Sequence, residues 1–175
     1  MTAPVQVTFI PLGQDVLDRL LRDDLRNASD AVGAELPEFF LAEKWLWQIR
    51  YDQLKQSPES APWLVRAVVV PESGAVIGHA GFHGPPDATG TVEVGYTVVP
   101  DWRGHGLAQR ILASLVAEAT ASPEVSVVRA SIRPDNLPSL AVVRKAGMKH
   151  VGEQWDDVDG RELIFELTVS DPAAF

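Results

Sequence analysis

Residues 5–10 (VQVTFI) alternate apolar with polar side chains, the period of a half-buried strand. The period then changes. Val16, Leu17, Leu20, Leu21 and Leu25 recur at helical spacing and predict one helix from Asp15 to about Asn27. Phe40, Leu41, Lys44, Trp47 and Tyr51 lie near one stripe and predict a second helix from about Pro37 to Leu54, broken by Ser57-Pro58-Glu59-Ser60-Ala61-Pro62. Strands at Trp63–Val70 and Ala75–Phe82 meet at Pro71-Glu72-Ser73-Gly74, a hairpin signal. The loop Gly84–Gly90 leads to a strand over 91–99 (VEVGYTVVP lies at 92–100). A helix follows from about Gly104 to Ala121, carried by Leu107, Ile111, Leu112, Leu115, Val116 and Ala119.

Val125–Ile132 predicts the next strand. Asn136 caps a short helix that ends at Gly147, a residue suited to a left-handed C-terminal position. Met148–Trp155 and Glu162–Val169 finish the chain as two strands around an Asp159-Gly160 turn. The order β-αα-βββ-α-β-α-ββ predicts a mixed α/β (α+β) fold. No repeat or linker divides it, so residues 1–175 are expected to form one domain.

Composition narrows the chemistry. With no cysteine, a disulfide framework, a thiolate zinc site and a cysteine nucleophile all drop out. The N-terminus carries neither a basic flank nor a long apolar run, so the expectation is a cytoplasmic protein without a membrane partner. A net charge of −9 argues against nucleic acid as partner. The charge is unevenly placed: residues 101–150 carry seven basic and four acidic side chains against an acidic remainder. That pattern fits either an anionic ligand at the cationic segment or an acidic protein with uneven helix faces.

The cationic segment holds a turn with specific chemistry. Arg103-Gly104-His105-Gly106-Leu107-Ala108 joins a strand to an amphipathic helix. A diphosphate needs several backbone N–H donors converging without side chains in the way, and a helix start supplies them with a partial positive charge. Glycine lets the backbone come close, and arginine adds charge-assisted hydrogen bonds. A packing turn would also use such glycines. A dinucleotide turn fits poorly, since Gln109 stands where the third glycine belongs, and a P-loop lacks its Gly-Lys-Ser/Thr.

The stretch from about Gly78 to Gly152 resembles the GNAT superfamily of N-acetyltransferases. Its signature Arg/Gln-x-x-Gly-x-Gly/Ala is met by Arg103, Gly106 and Ala108. A wider pattern is met in order by Glu93, Gly95, Tyr96, Pro100, Arg103, Gly104, Gly106, Asn136, Ser139, Lys145 and Gly147, with Met148 where phenylalanine is usual. The set is most similar to the Rim-type branch, the ribosomal-protein N-terminal acetyltransferases. Residues 1–60 match only in having a strand and two helices. The resemblance implies a central mixed, mostly antiparallel sheet of about seven strands flanked by about four helices. It further implies acetyl-coenzyme A as co-substrate, no metal, and an amine acceptor that is a peptide N-terminus or a small molecule. The oligomer is expected to be a monomer or homodimer.

Acetyl transfer to an amine needs a neutral amine, a polarised thioester carbonyl and stabilisation of the departing thiolate. A carboxylate is a sensible base. Glu93 shares a strand face with Gly95, Thr97 and Val99, and Gly95 removes side-chain bulk beside it. An edge-strand glutamate facing water would read the same way, and the resemblance favours the base. It also implies that backbone N–H groups around Val98 and Val99 face the thioester oxygen. Arg103, Gly104, His105, Gly106, Leu107 and Ala108 would hold the pyrophosphate, with Asn136 and Lys145 also on the cofactor. Ser139 lies in a first helical turn, where the dipole favours negative charge. It would serve the thiolate, because Val143 occupies the position of the tyrosine many relatives use. His79 and His83 lie four apart and lack a third ligand at metal-binding spacing; core or hairpin-surface positions are expected ahead of a role lining the acceptor cleft. Two other readings remain: acetylation of a small amine such as an antibiotic or polyamine, and a non-catalytic acyl-coenzyme A-binding module.

Overall fold

A computed structural model of the chain describes residues 6–169. Val5, at the start of the opening strand, lies outside the described residues. The fold is mixed α/β, and the described residues form seven strands and five α-helices. Its strand order is β1-β2-β3-β4-β5-β7-β6. The strands are β1 (Thr8–Pro11), β2 (Arg66–Val70), β3 (Ala75–Phe82), β4 (Thr91–Val98), β5 (Val127–Ile132), β6 (Lys149–Asp156) and β7 (Gly160–Thr168). The helices are α1 (Gln14–Leu21), α2 (Leu25–Val32), α3 (Lys44–Gln56), α4 (Leu107–Ala121) and α5 (Leu137–Lys145). The described chain forms two compact units. One comprises the chain up to Gly81 with Thr97–His105, the other Phe82–Tyr96 with the chain from Gly106 onward.

In the first unit β1 and β2 pair antiparallel, Phe9 opposite Val68, and β2 pairs antiparallel with β3, Ala67 opposite His79. Every residue of β2 is buried, as a strand covered on both faces requires. Leu17, Leu20, Ala28, Phe40 and Trp47 are fully enclosed in this unit's core. Each of the leucine and phenylalanine side chains contributes roughly 1.5–3 kcal/mol by leaving water.

The expected helix over 15–27 is in fact two. Asp23 takes a left-handed conformation (φ 61°), and Asp24 restarts the chain by accepting the Asn27 N–H at 3.3 Å. Three consecutive polar residues, Arg22-Asp23-Asp24, offer local caps that compete with the helical ladder, which the apolar spacing alone does not reveal. The expected second helix also begins later. Glu38–Glu43 winds as a 3₁₀ helix before α3, and Phe40 accepts a hydrogen bond from the Trp47 indole at its carbonyl.

In the second unit β4 runs parallel to β5, while β5–β7 and β6–β7 are antiparallel. α4 buries Leu107, Ile111, Leu112, Leu115 and Ala119 along one stripe, the spacing its sequence predicts. The β6–β7 connection is three residues, with the Asp156 carboxylate accepting the N–H groups of Val158 and Asp159 at 2.7 and 2.8 Å. Gly160 follows in the left-handed region (φ 74°), as a three-residue hairpin with a glycine bulge demands.

Candidate active site

The strand–turn–helix segment begins where β4 ends. Pro100–Trp102 make one 3₁₀ turn, Arg103 is extended, and Gly104 (φ 79°) and Gly106 (φ 72°) are both left-handed. A Cβ added at either glycine would meet nothing within 4 Å. These glycines are therefore required by backbone conformation, not by crowding. Gly106 is the N-cap of α4 and supplies no side-chain acceptor. Among the described residues no N-cap side chain takes the first-turn N–H groups of α4, which suits them to water or to an anion. This is the donor set a pyrophosphate fits. Leu107 is buried and anchors the helix start, whereas Arg103, Gly104, His105 and Gly106 are exposed and Ala108 is half-buried.

Two details differ from expectation. The Val99 N–H donates to the Ile77 carbonyl at 2.9 Å, so this amide is not a spare donor for a thioester oxygen. Arg103 donates from Nε to the Val98 carbonyl at 2.8 Å. That bond fixes the root of the guanidinium, while its two terminal nitrogens lie beyond it. His105 faces the Trp102 carbonyl through Nδ1 at 3.3 Å.

The candidate base lies in the second unit. Glu93 is partly exposed on β4, and its carbonyl accepts the His83 N–H at 2.8 Å. The two side chains also meet, His83 Nδ1 standing 3.6 Å from Glu93 Oε1. A Cβ on Gly95 would lie 2.9 Å from His83 Nε2. The space expected beside Glu93 for a ligand is thus bounded by the His83 ring. Sequence spacing missed this pairing. The usable signal was the loop between β3 and β4: residues 83 and 93 are equidistant from Ala88, as opposed residues of a hairpin are.

Asn136 caps α5, its side-chain oxygen accepting the Ser139 N–H at 3.2 Å. Ser139 is half-buried in the first turn, beside the phenol of Tyr96. The Tyr96 oxygen is enclosed and makes no hydrogen bond of ordinary geometry among the described residues. Burial pushes this phenol up to about 12, and the neighbouring Ser139 side chain offsets only part of that. Lys145 stands elsewhere: it is exposed in the last turn of α5, six residues beyond Ser139 or about 9 Å of helix rise. There its charge favours the helix C-terminus. The structure does not bring it to the Asn136–Ser139 end.

A second carboxylate sequence reasoning missed is Glu162 on β7. It is nearly buried, and Gln154 donates from one amide nitrogen to Glu162 Oε2 at 2.9 Å and to Ser131 Oγ at 3.2 Å. Burial raises the Glu162 carboxyl above its ordinary range; the Gln154 hydrogen bond opposes this, and the charges of Asp156, Glu93 and Asp159 add to it. Asp156 is held low, first by the Asp159 and Val158 N–H groups and also by His83. Glu93, His83, Asp156 and Glu162 therefore act on one another electrostatically within this unit.

His79 belongs to the first unit and a different environment. Its ring is buried against Phe40 and Trp47, and Nε2 lies 3.2 Å from Glu43 Oε2. Among the described residues no three or more His, Asp or Glu side chains are grouped to hold a metal ion. No described helix is long and apolar enough to cross a membrane.

Comparison with known proteins identifies the family. Residues 11–149 match the family described as the acetyltransferase (GNAT) domain. The uncharacterized N-acetyltransferase p20 of Bacillus licheniformis is 26% identical over 86 residues, 49% of this chain and 48% of that protein. The chain thus spans about half the length of this relative. RimJ of Mycobacterium smegmatis, solved in complex with CoA-disulfide, has a TM-score of 0.66 at 18% identity, over 94% of this chain and 83% of that one. A chimera of the Vibrio cholerae spermidine N-acetyltransferase SpeG with hSSAT has a TM-score of 0.68 at 10% identity, over 97% and 99%. At these identities the structural likeness is one of fold. The match across residues 11–149, which takes in the glycine turn, Glu93, Asn136 and Ser139, assigns this chain to the GNAT acetyltransferase domain family.

Proposed function

We propose that this protein is an N-acetyltransferase that moves an acetyl group from acetyl-coenzyme A to the amino terminus of a protein or peptide. The observation that carries the coenzyme half of the reading is the uncapped start of α4 behind two left-handed glycines. It offers N–H groups to an anion and has no structural use for them otherwise. In this reading Gly106, Leu107 and Ala108 bind the pyrophosphate through their backbone, with Arg103, Gly104 and His105 leading into the turn. The chain acts as one catalytic domain, supported by a family match that runs through both compact units.

Glu93 is the base. As the amine nitrogen bonds to the thioester carbon, the carboxylate takes the amine proton and the carbon–sulfur bond breaks with its electron pair on sulfur. A peptide α-amine, with a reference pKa near ~8, is neutral more often than a lysine amine near ~10.4, so a carboxylate suffices. The Ser139 hydroxyl, set at the dipole end of α5 by the Asn136 cap, donates a hydrogen bond to the thiolate.

A small amine as acceptor is the second reading, and the fold likeness to a spermidine N-acetyltransferase is what favours it. Mass spectrometry of peptides with free and blocked N-termini, and of polyamines, after incubation with acetyl-coenzyme A separates the two. Acetylated free N-termini with untouched polyamines are expected. Product on polyamines alone would overturn the peptide reading, and no product on any amine would overturn transfer itself.

A further inference from the structure

The Glu93–His83 contact is tied at three points. The backbone of His83 donates to the backbone of Glu93, the side chains approach to 3.6 Å, and the absent side chain at Gly95 leaves the ring its place. The separation is that of an ion pair, and catalytic contacts commonly tighten once substrate is bound. The His83 side chain is 47% exposed and that of Glu93 25%. One group reaches towards water while the other is more enclosed.

We infer that His83 is a positioning residue for the Glu93 base, orienting its carboxylate and removing the proton it collects. The inference rests on the proposed transfer reaction. After the amine N–H bond breaks and an O–H bond forms on Glu93, neutral His83 accepts that proton at Nδ1 and becomes imidazolium. It then releases the proton on Nε2 to water, so the carboxylate is restored, one proton reaches solvent, and proton exchange with water returns the ring from its Nδ1–H to its Nε2–H tautomer. The step uses the tautomer protonated at Nε2, the nitrogen over Gly95.

The charges facing this pair favour the transfer. Glu93 on β4 and Asp156 at the end of β6 both act on His83, and Glu162 on β7 and Asp159 in the hairpin turn add negative charge to the same group. Arg133 offsets part of it, lying 3.4 Å from Asp135 and 3.9 Å from Asp159. Carboxylates stabilise an imidazolium. Imidazole is also the side chain whose ordinary titration falls between pH 5 and 8, so it can load and unload near neutrality. The sign is definite: His83 must be neutral to accept, and turnover is lost as pH falls through its titration.

The test has two arms. In the first, the His83 ring is titrated by NMR in the wild-type protein and in Glu93→Gln, with His83→Asn identifying its signal. The midpoint is expected to drop by about half a unit or more when the carboxylate is removed; an unchanged midpoint overturns the coupling. In the second, kcat and KM of His83→Asn are followed against pH with the acceptor found above. We expect kcat at pH 7 to fall on the order of tenfold or more, with KM for acetyl-coenzyme A and Tm nearly unchanged. Imidazole added to His83→Ala should restore part of the rate. Gly95→Ala, which displaces the ring without altering either partner, should reproduce the loss. An unchanged kcat in His83→Asn overturns the role of His83 while leaving the proposed function intact. A wild-type protein that transfers no acetyl group overturns both, whatever the titration reads.

Discussion

Two histidines four residues apart each meet a glutamate, and the surroundings give them opposite work. His79 pairs with Glu43 at 3.2 Å, with side-chain exposures of only 4% and 17%. Phe40 and Trp47 meet its ring edge to face at centroid distances of 5.7 and 5.0 Å. His83 pairs with Glu93 at 3.6 Å and is half open to solvent. The first pair holds the 3₁₀ segment at Glu43 and the helix bearing Trp47 against β3. The second is open to water at His83, and its Glu93 sits on the strand that leads to the glycine turn. Identical residue types at hydrogen-bonding or ion-pair range do not assign a role. Enclosure and access to solvent do.

The comparison breaks first at the closed pair. His79→Ala leaves a hole among aromatic rings and strands the Glu43 carboxylate, so we expect a loss of about 2–4 kcal/mol in urea unfolding. His83→Ala, at an open site, should cost no more than ~0.5 kcal/mol. Equal losses for the two would remove the distinction.

A smaller effect concerns Glu162. Burial raises its carboxyl pKa in the folded chain, so the folded state holds the proton more tightly than the unfolded one. Its ionisation therefore costs stability, a cost absent below the unfolded value near ~4.3 and complete once pH passes the folded value. Glu162→Gln should melt slightly higher than wild type at pH 7, and the gap should close as pH falls towards 4. Gln can still accept from Gln154, so the hydrogen bond is not at issue.

The smallest effect is at Tyr96. Its enclosed oxygen has no good hydrogen bond among the described residues, so Tyr96→Phe should leave stability unchanged or raise it by up to ~1 kcal/mol. A loss of several kcal/mol by the same unfolding measurement would mean that the Ser139 hydroxyl already bonds the phenol.

The second unit was the more legible in the sequence. Leu107, Ile111, Leu112 and Leu115 keep one helical phase, Asn136 caps where it should, and Gly106 and Gly147 are left-handed as their positions require. Local chemistry and tertiary packing agree there. In the first unit they conflict: Val16 to Leu25 keep helical spacing, yet Asp23 and Asp24 break the helix through their own caps. The site showed the same divide. The candidates Glu93, Asn136 and Ser139 each carry a local or motif signal. The His83–Glu93 pairing and Glu162 carry no such signal, since they depend on which strands meet. Nor could spacing show that the Val99 amide is taken by Ile77.

The central claim, that Glu93 is the base of an acetyl transfer, is most directly tested by Glu93→Gln. The measurement is steady-state turnover on the acetylated amine, with acetyl-coenzyme A binding followed by calorimetry on the same protein. The account predicts a fall in kcat at pH 7 on the order of a hundredfold or more, with binding within about twofold of wild type since the residue touches no phosphate donor. Turnover equal to wild type at every pH would contradict it.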